Sequence, residues 1–115
     1  MARYVVKLGS AMASQDAVLE AVCDEVARRR AAGDDVVLVS SGAIARGLIA
    51  LDRPDRPSAI DELQALSAVG QGKLFRLWDE ALAARGVTGA QVLLTLFDLS
   101  YREHYLNARQ TLQRL

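Results

Sequence analysis

Small and polar residues follow two apolar runs of this chain at matching places, and together they could bind an anion. Lys7 comes just before Gly9-Ser10 at the end of the first run, and Ser41-Gly42 follow the second. A lysine ammonium supplies positive charge, and it is costly to bury unpaired. A glycine at the start of a helix lets an anion approach free backbone N–H groups closely. These residues therefore predict one anion pocket built from Lys7, Gly9, Ser10, Ser41 and Gly42.

Each of these residues also has a plainer explanation. Lys7 could be an edge-strand lysine at the solvent boundary, and Ser40 or Ser41 could simply cap a helix. Two serines and a glycine in sequence are slightly more than one cap requires. That surplus favours the anion pocket.

Two glycine motifs have the spacing found in nucleotide-binding motifs, but the residues that such motifs require beside the glycines are absent. Gly42 and Gly47 have the spacing of the P-loop glycines, but Leu48-Ile49 stands where Lys-Ser/Thr is needed. Gly70-Gln71-Gly72 lies inside a helical pattern, and Phe75 fills the third glycine position of a dinucleotide fingerprint. Close packing of that helix on a sheet explains its glycines better.

Composition excludes several classes of protein. The 115 residues carry 14 basic and 14 acidic side chains, so the broad positive field of a nucleic-acid-coating protein is missing. Cys23 is the only cysteine, and with His104 it is too few soft ligands for zinc. The longest uncharged run, Val36–Ala45, is far shorter than a membrane helix of about 20 residues. A cytoplasmic protein without nucleic-acid or membrane partners fits best.

The apolar periodicities predict strands and helices in alternation. The βαβ pattern, and strands without polar alternation, are typical of a parallel sheet with helices on both faces. We expect strands at Arg3–Leu8, Val36–Val39 and Gln91–Thr95. We expect helices at Gln15–Ala32, Ala43–Leu51, from a capping box at Ser58–Asp61 to Gly86, and at Tyr101–Leu115.

These elements could cover such a sheet only in part. Three parallel strands that are apolar on both faces need helices above and below and neighbours at their edges. We therefore expect residues 1–115 to be the first part of a larger α/β domain, with no internal domain boundary, or else a chain that oligomerises.

Five strings occur in order along the sequence: Val6–Ser10, Val37–Ala45, Ala68–Gly72, Ala90–Thr95 and Tyr105–Arg109. Together they resemble the glutamate 5-kinases, a branch of the amino acid kinase family, over essentially the whole chain. The resemblance implies a truncated, three-layer αβα fold with a mostly parallel, doubly wound sheet. Residues 1–115 would be its N-terminal, glutamate-binding part.

The resemblance also implies an activity: transfer of the ATP γ-phosphoryl group to the side-chain carboxylate of L-glutamate, with Mg²⁺, as the first step of proline biosynthesis. By the same resemblance, Lys7 is the catalytic, ATP-phosphate lysine. Gly9 and Ser10 form the phosphate-side loop, and Ser41 and Gly42 contact glutamate, with no metal ligand in this segment. The full-length protein would be a cytoplasmic homo-oligomer.

General chemistry agrees with this assignment. A glutamate side chain, with a reference pKa of about 4.3, is already ionised at neutral pH, so no general base is needed. Positive charge is needed instead, to overcome repulsion between two anions.

Two residues depart from the family pattern. Ala11 removes a hydroxyl that usually follows Gly-Ser, and Phe97 replaces a residue that is usually polar or charged. The segments that would carry the adenine pocket and a second lysine are also missing, so we expect the isolated chain to be inactive. The alternatives are a non-catalytic, anion-binding or assembly remnant of such a kinase, and a relative with another acceptor.

Overall fold

A βαβ unit opens the chain, as the sequence predicts. In the computed structural model, which describes residues 1–115, two strands pair in parallel, with one short and one long helix between them. Further helices follow, and the element bounds lie within about one residue of those predicted for the first two strands and their helices. The elements are β1 Arg3–Leu8, α1 Ser10–Ala13, α2 Asp16–Ala31, β2 Asp35–Ser40, α3 Ala43–Ala50, α4 Ile60–Ala83, α5 Leu96–Ser100 and α6 Arg102–Arg114.

The sheet has one covered face and one open face. Successive side chains of a strand alternate between faces, and Val6 and Leu38 pack against the core while Val5 and Val39 are 68% and 45% exposed. The α/β class is therefore correct. A third strand and a second helical layer are not present within these residues.

The predicted strand at Gln91–Thr95 is wrong. Residues 87–95 have no regular secondary structure, and Leu93 is 67% exposed. A strand needs a neighbour to pair its backbone N–H and C=O groups, and this segment has none here.

A short helix that the sequence analysis missed follows at once. Thr95 and Asp98 form a capping box, in which Thr95 N–H donates to Asp98 Oδ2 at 2.8 Å and the Thr95 hydroxyl accepts from the Asp98 N–H. The hydrogen bonds from Thr95 lower the pKa of the Asp98 carboxyl.

The capping box predicted at Ser58–Asp61 does not form, because α4 begins at Ile60 with Ala59 as its N-cap.

The core lies between the covered face of the sheet, α2 and α4. Cys23 is completely buried in it, and burial raises the pKa of its thiol. None of the helices is both long and apolar enough to cross a membrane. The buried residues of this core are Leu8, Ala13, Leu19, Cys23, Val26, Leu74, Trp78, Ala81 and Leu82.

Helices α3 and α4 approach each other so closely that two glycines are required. A Cβ atom on Gly47 would overlap the carbonyl oxygen of Leu66, and one on Gly70 would overlap that of Ala43. The predicted close packing at Gly70 is therefore real, but its partner is α3 rather than the sheet. Gly72, two residues further along α4, faces open space.

These two glycines give a matched test of the contact. Gly70→Ala should lower the free energy of unfolding by about 1–3 kcal/mol, because the added methyl group forces the helices apart. Gly72→Ala should raise it by about 0.5–1 kcal/mol, since alanine is the better helix former and meets nothing there. Urea denaturation measures both. Equal effects of the two substitutions would contradict the close approach.

Candidate functional site

The strands bring the two predicted loops to one edge of the sheet. Leu8 lies opposite Ser40 in the parallel register, and the Ser41 N–H donates to the Leu8 carbonyl at 3.0 Å. Gly9-Ser10 and Ser41-Gly42 therefore leave the sheet side by side. This is the carboxyl edge, where ligands of open α/β sheets bind.

A cavity of about 240 Å³ opens at this edge between the strand ends and the facing helices. Three of the predicted site residues line it: Ser10, Ser41 and Gly42. The full lining is Ser10, Ser40, Ser41, Gly42, Ala43, Ile44, Arg56, Ser67 and Gln71.

Lys7 and Gly9 are near this cavity in the chain but do not line it. Lys7 lies opposite Val39 in the register, on the open face of the sheet, and its side chain is exposed. It makes no ion pair and no side-chain hydrogen bond within the chain. Its ammonium is thus free at the same edge as the cavity, on the other side of the sheet.

Gly42 is suited to its place for two independent reasons. Its φ of +117° lies in a region that residues with a side chain rarely adopt. A Cβ atom there would also come within 3.0 Å of the Ala13 Cβ. Any larger residue would disturb both the turn into α3 and its contact with α1.

The serines do not cap α3. Gly42 is the N-cap, and no side chain bonds to the first N–H groups of that helix. The Ser40 hydroxyl donates to the Ser41 carbonyl at 2.8 Å and accepts from Trp78 Nε1 at 3.3 Å. The Ser41 hydroxyl is exposed and has no partner within the chain. The start of α3 and this hydroxyl are therefore available to a ligand.

Arg46, which is not among the predicted site residues, connects α3 to the end of α1. Its Nη2 donates to the Ala13 carbonyl at 2.9 Å and pairs with Asp16 Oδ1 at 3.0 Å. Arg46 is only 8% exposed, and its Nε has no partner. A single charged residue within the apolar run of α3 was the available signal, because burying a guanidinium is costly unless it is paired.

Three residues of the cavity lining were also missed as site residues. Ser67 and Gln71 come from α4, and Arg56 comes from the loop that follows α3. Their sequence context gave no sign of this, since Gln71 lies in a helical pattern and Arg56 in a Pro-rich loop. The crossing of α4 over α3 brings Ser67 and Gln71 to the strand ends, and the path of the loop brings Arg56 there.

The lining is suited to an anion. It contains hydroxyl, amide and backbone N–H groups, one guanidinium and no carboxylate. Backbone N–H groups at a helix start favour negative charge. No group of His, Cys, Asp or Glu side chains in the chain could hold a metal ion.

Comparison with known proteins identifies a family and several relatives that this chain is similar to. A family model described as "Amino acid kinase family" matches residues 2–115. The chain is 52% identical over 118 aligned positions to the glutamate 5-kinase of Paracoccus denitrificans, and 49% identical over 120 to that of Chromohalobacter salexigens. A third such kinase, from Stutzerimonas stutzeri, is 46% identical over 119. Each alignment covers 98% of this chain and 32% of the relative, so the chain spans about a third of their length.

Arg46 provides the test of how the loops are held. Arg46→Met should lower the free energy of unfolding by about 1–3 kcal/mol, because the buried Ala13 carbonyl loses its donor. Asp16 is 76% exposed at its side chain, so Asp16→Asn should cost less than about 1 kcal/mol. Thermal or urea unfolding distinguishes the two. An Arg46→Met protein as stable as the parent would show that this contact does not hold α1.

Proposed function

This chain belongs to the amino acid kinase family, and from that premise we propose that residues 1–115 form the glutamate-binding part of a kinase that phosphorylates L-glutamate. The observation that carries the proposal is the cavity at the ends of β1 and β2. It presents a free Ser41 hydroxyl and the uncapped start of α3. Both groups can donate hydrogen bonds to a carboxylate.

The proposed reaction joins two anions. A side-chain carboxylate oxygen of L-glutamate attacks the γ-phosphorus of ATP, the bond between the γ-phosphorus and the β–γ bridging oxygen breaks, and ADP leaves with the electron pair. The products are ADP and L-glutamyl 5-phosphate. The carboxylate carries no proton at neutral pH, so the absence of an acidic or histidine side chain from the cavity agrees with this chemistry.

In this proposal, Lys7 neutralises the phosphate charge, and Gly9-Ser10 contact the phosphates. The Lys7 ammonium is unpaired and exposed at the end of β1, as a phosphate-binding lysine should be. Ser41 and Gly42 hold the carboxylate that reacts. The nucleotide would approach from the open face of the sheet and glutamate from the cavity, so that the two meet at the sheet edge.

We propose that the residues of this chain do not hold Mg²⁺ by themselves. They offer no group of acidic side chains that could hold the ion. Mg²⁺ usually keeps most of its waters and binds through substrate phosphates with one or two carboxylates. We therefore propose that any Mg²⁺ enters on the phosphates of ATP, as part of the substrate.

We further propose that the complete kinase has a doubly wound, three-layer sheet. The exposed apolar side chains of Val5 and Val39 support this, because an open parallel sheet needs a covering layer on each face. A cytoplasmic homo-oligomer that acts in proline biosynthesis is the setting we propose for that kinase.

The second candidate is a non-catalytic remnant that binds anions or serves assembly. The cavity lining supports it, because hydroxyl, amide and guanidinium groups without a carboxylate suit a bound anion whether or not a reaction follows. A hydroxamate assay for glutamyl phosphate separates the two when applied to the 115-residue chain and to a hybrid. In the hybrid, these residues replace the matching third of the Paracoccus denitrificans kinase. We expect product from the hybrid and none from the chain alone. An inactive hybrid that folds would contradict the kinase proposal, and product from the chain alone would contradict the expectation that these 115 residues are inactive by themselves.

The roles of Lys7 and Ser41 can be separated by kinetics of the hybrid. Lys7→Ala should lower kcat by about 10²–10³-fold, because it removes a cation that stabilises the transferring group. Ser41→Ala should mainly raise KM for L-glutamate, by about tenfold, because it removes one hydrogen bond to the substrate.

Lys73, the only other lysine, is exposed on α4 and provides the control. Lys73→Ala should leave kcat and both KM values unchanged. Small and equal effects of all three substitutions would remove the assignment.

A further inference from the structure

Arg56 is the only formally charged side chain that lines the cavity. We propose that Arg56 binds the α-carboxylate of L-glutamate, the carboxylate that does not react, and so determines specificity for an α-amino acid. This inference rests on the proposed function, since it assigns the second end of the same substrate.

The Arg56 guanidinium is free to bind a ligand. It makes no ion pair and no hydrogen bond within the chain. By contrast, the Arg85 guanidinium bonds to Glu20 and Asp24 at 2.6 Å each, and Arg46 is tied to α1. No other arginine lines the cavity. Arg56 alone combines an unused guanidinium with a place in the lining.

The loop that carries Arg56 is restricted by two prolines. Pro54 and Pro57 each fix their own φ, and Pro57 also keeps the residue before it, Arg56, in the extended region. The backbone at Arg56 is therefore limited before any ligand binds, which lowers the conformational entropy lost on binding.

A guanidinium at this place suits the carboxylate that does not react. Arginine presents parallel N–H donors that match a carboxylate, and such pairs are among the stronger hydrogen bonds in proteins. An arginine paired with the side-chain carboxylate, whose oxygen attacks the phosphorus, would withdraw electron density from that nucleophile. The phosphates are assigned to Lys7 and Gly9-Ser10 on the β1 side, and Arg56 comes from a different loop. Arg56 is therefore assigned to the α-carboxylate, at the other end of glutamate.

The chain itself permits a direct binding test. Backbone amide shifts of Ser41 and Gly42 in the ¹⁵N-labelled 115-residue chain report titrations with L-glutamate, with 4-aminobutyrate and with inorganic phosphate. 4-Aminobutyrate keeps the amino group and the reacting carboxylate but lacks the α-carboxylate. The variants are Arg56→Gln and, as matched control, Arg53→Gln. Arg53 lies in the same loop, is exposed and does not line the cavity.

We expect Arg56→Gln to raise the Kd for L-glutamate about tenfold or more, the range for hydrogen bonds to charged groups. The Kd for 4-aminobutyrate should stay unchanged, and Arg53→Gln should alter neither. Unchanged glutamate binding in Arg56→Gln, or equal weakening of 4-aminobutyrate, would overturn the inference and leave the proposed function intact. Weaker phosphate binding with unchanged glutamate binding would overturn it in favour of a phosphate contact. No shift of Ser41 or Gly42 in the parent chain with L-glutamate would overturn the glutamate pocket itself.

Discussion

The parallel pairing that sets Leu8 beside Ser40 is the constraint on which the candidate site depends. A slip of one residue in either strand would exchange its two faces. A slip in β1 would move Leu8 out of the core. A slip in β2 would turn the Ser40 hydroxyl away from the indole N–H of Trp78. The hydrogen bond from Ser41 to the Leu8 carbonyl continues this pairing beyond the last strand residues. Two loops distant in sequence thus emerge at fixed places on one edge.

Contacts to α3 then give the edge its shape. Arg46 holds the end of α1, Gly42 allows Ala13 to pack beside the turn, and Gly70 lets α4 come close enough for its polar residues to reach the cavity. Each contact needs a particular residue type, either a long donor or no side chain at all. The start of α3 has no side-chain cap, and it is available because the nearby serines bond elsewhere or stay free. Backbone N–H groups, which carry no formal charge to be desolvated, are left without a side-chain cap at this edge.

Local sequence patterns predicted the βαβ unit, the long helix α4 and the two polar loops, because periodicity and strand order determine them. They failed where the outcome depended on distant partners. Gln91–Thr95 has the composition of a strand but no strand beside it, and Arg56 reaches the cavity only through the path of its loop. Arg46 was visible as a charge in an apolar helix, yet its acceptor is the Ala13 carbonyl, 33 residues earlier. Patterns within one element cannot reveal such a partner.

We propose that the ends of β1 and β2 hold the two reacting groups. A crystal structure of the hybrid kinase with L-glutamate and a non-hydrolysable ATP analogue would reveal where each of the two binds. We expect the side-chain carboxylate of glutamate within hydrogen-bond distance of the Ser41 hydroxyl and the terminal phosphate beside the Lys7 ammonium. Glutamate bound at another edge of the sheet, with the Ser41 hydroxyl facing only solvent, would contradict it.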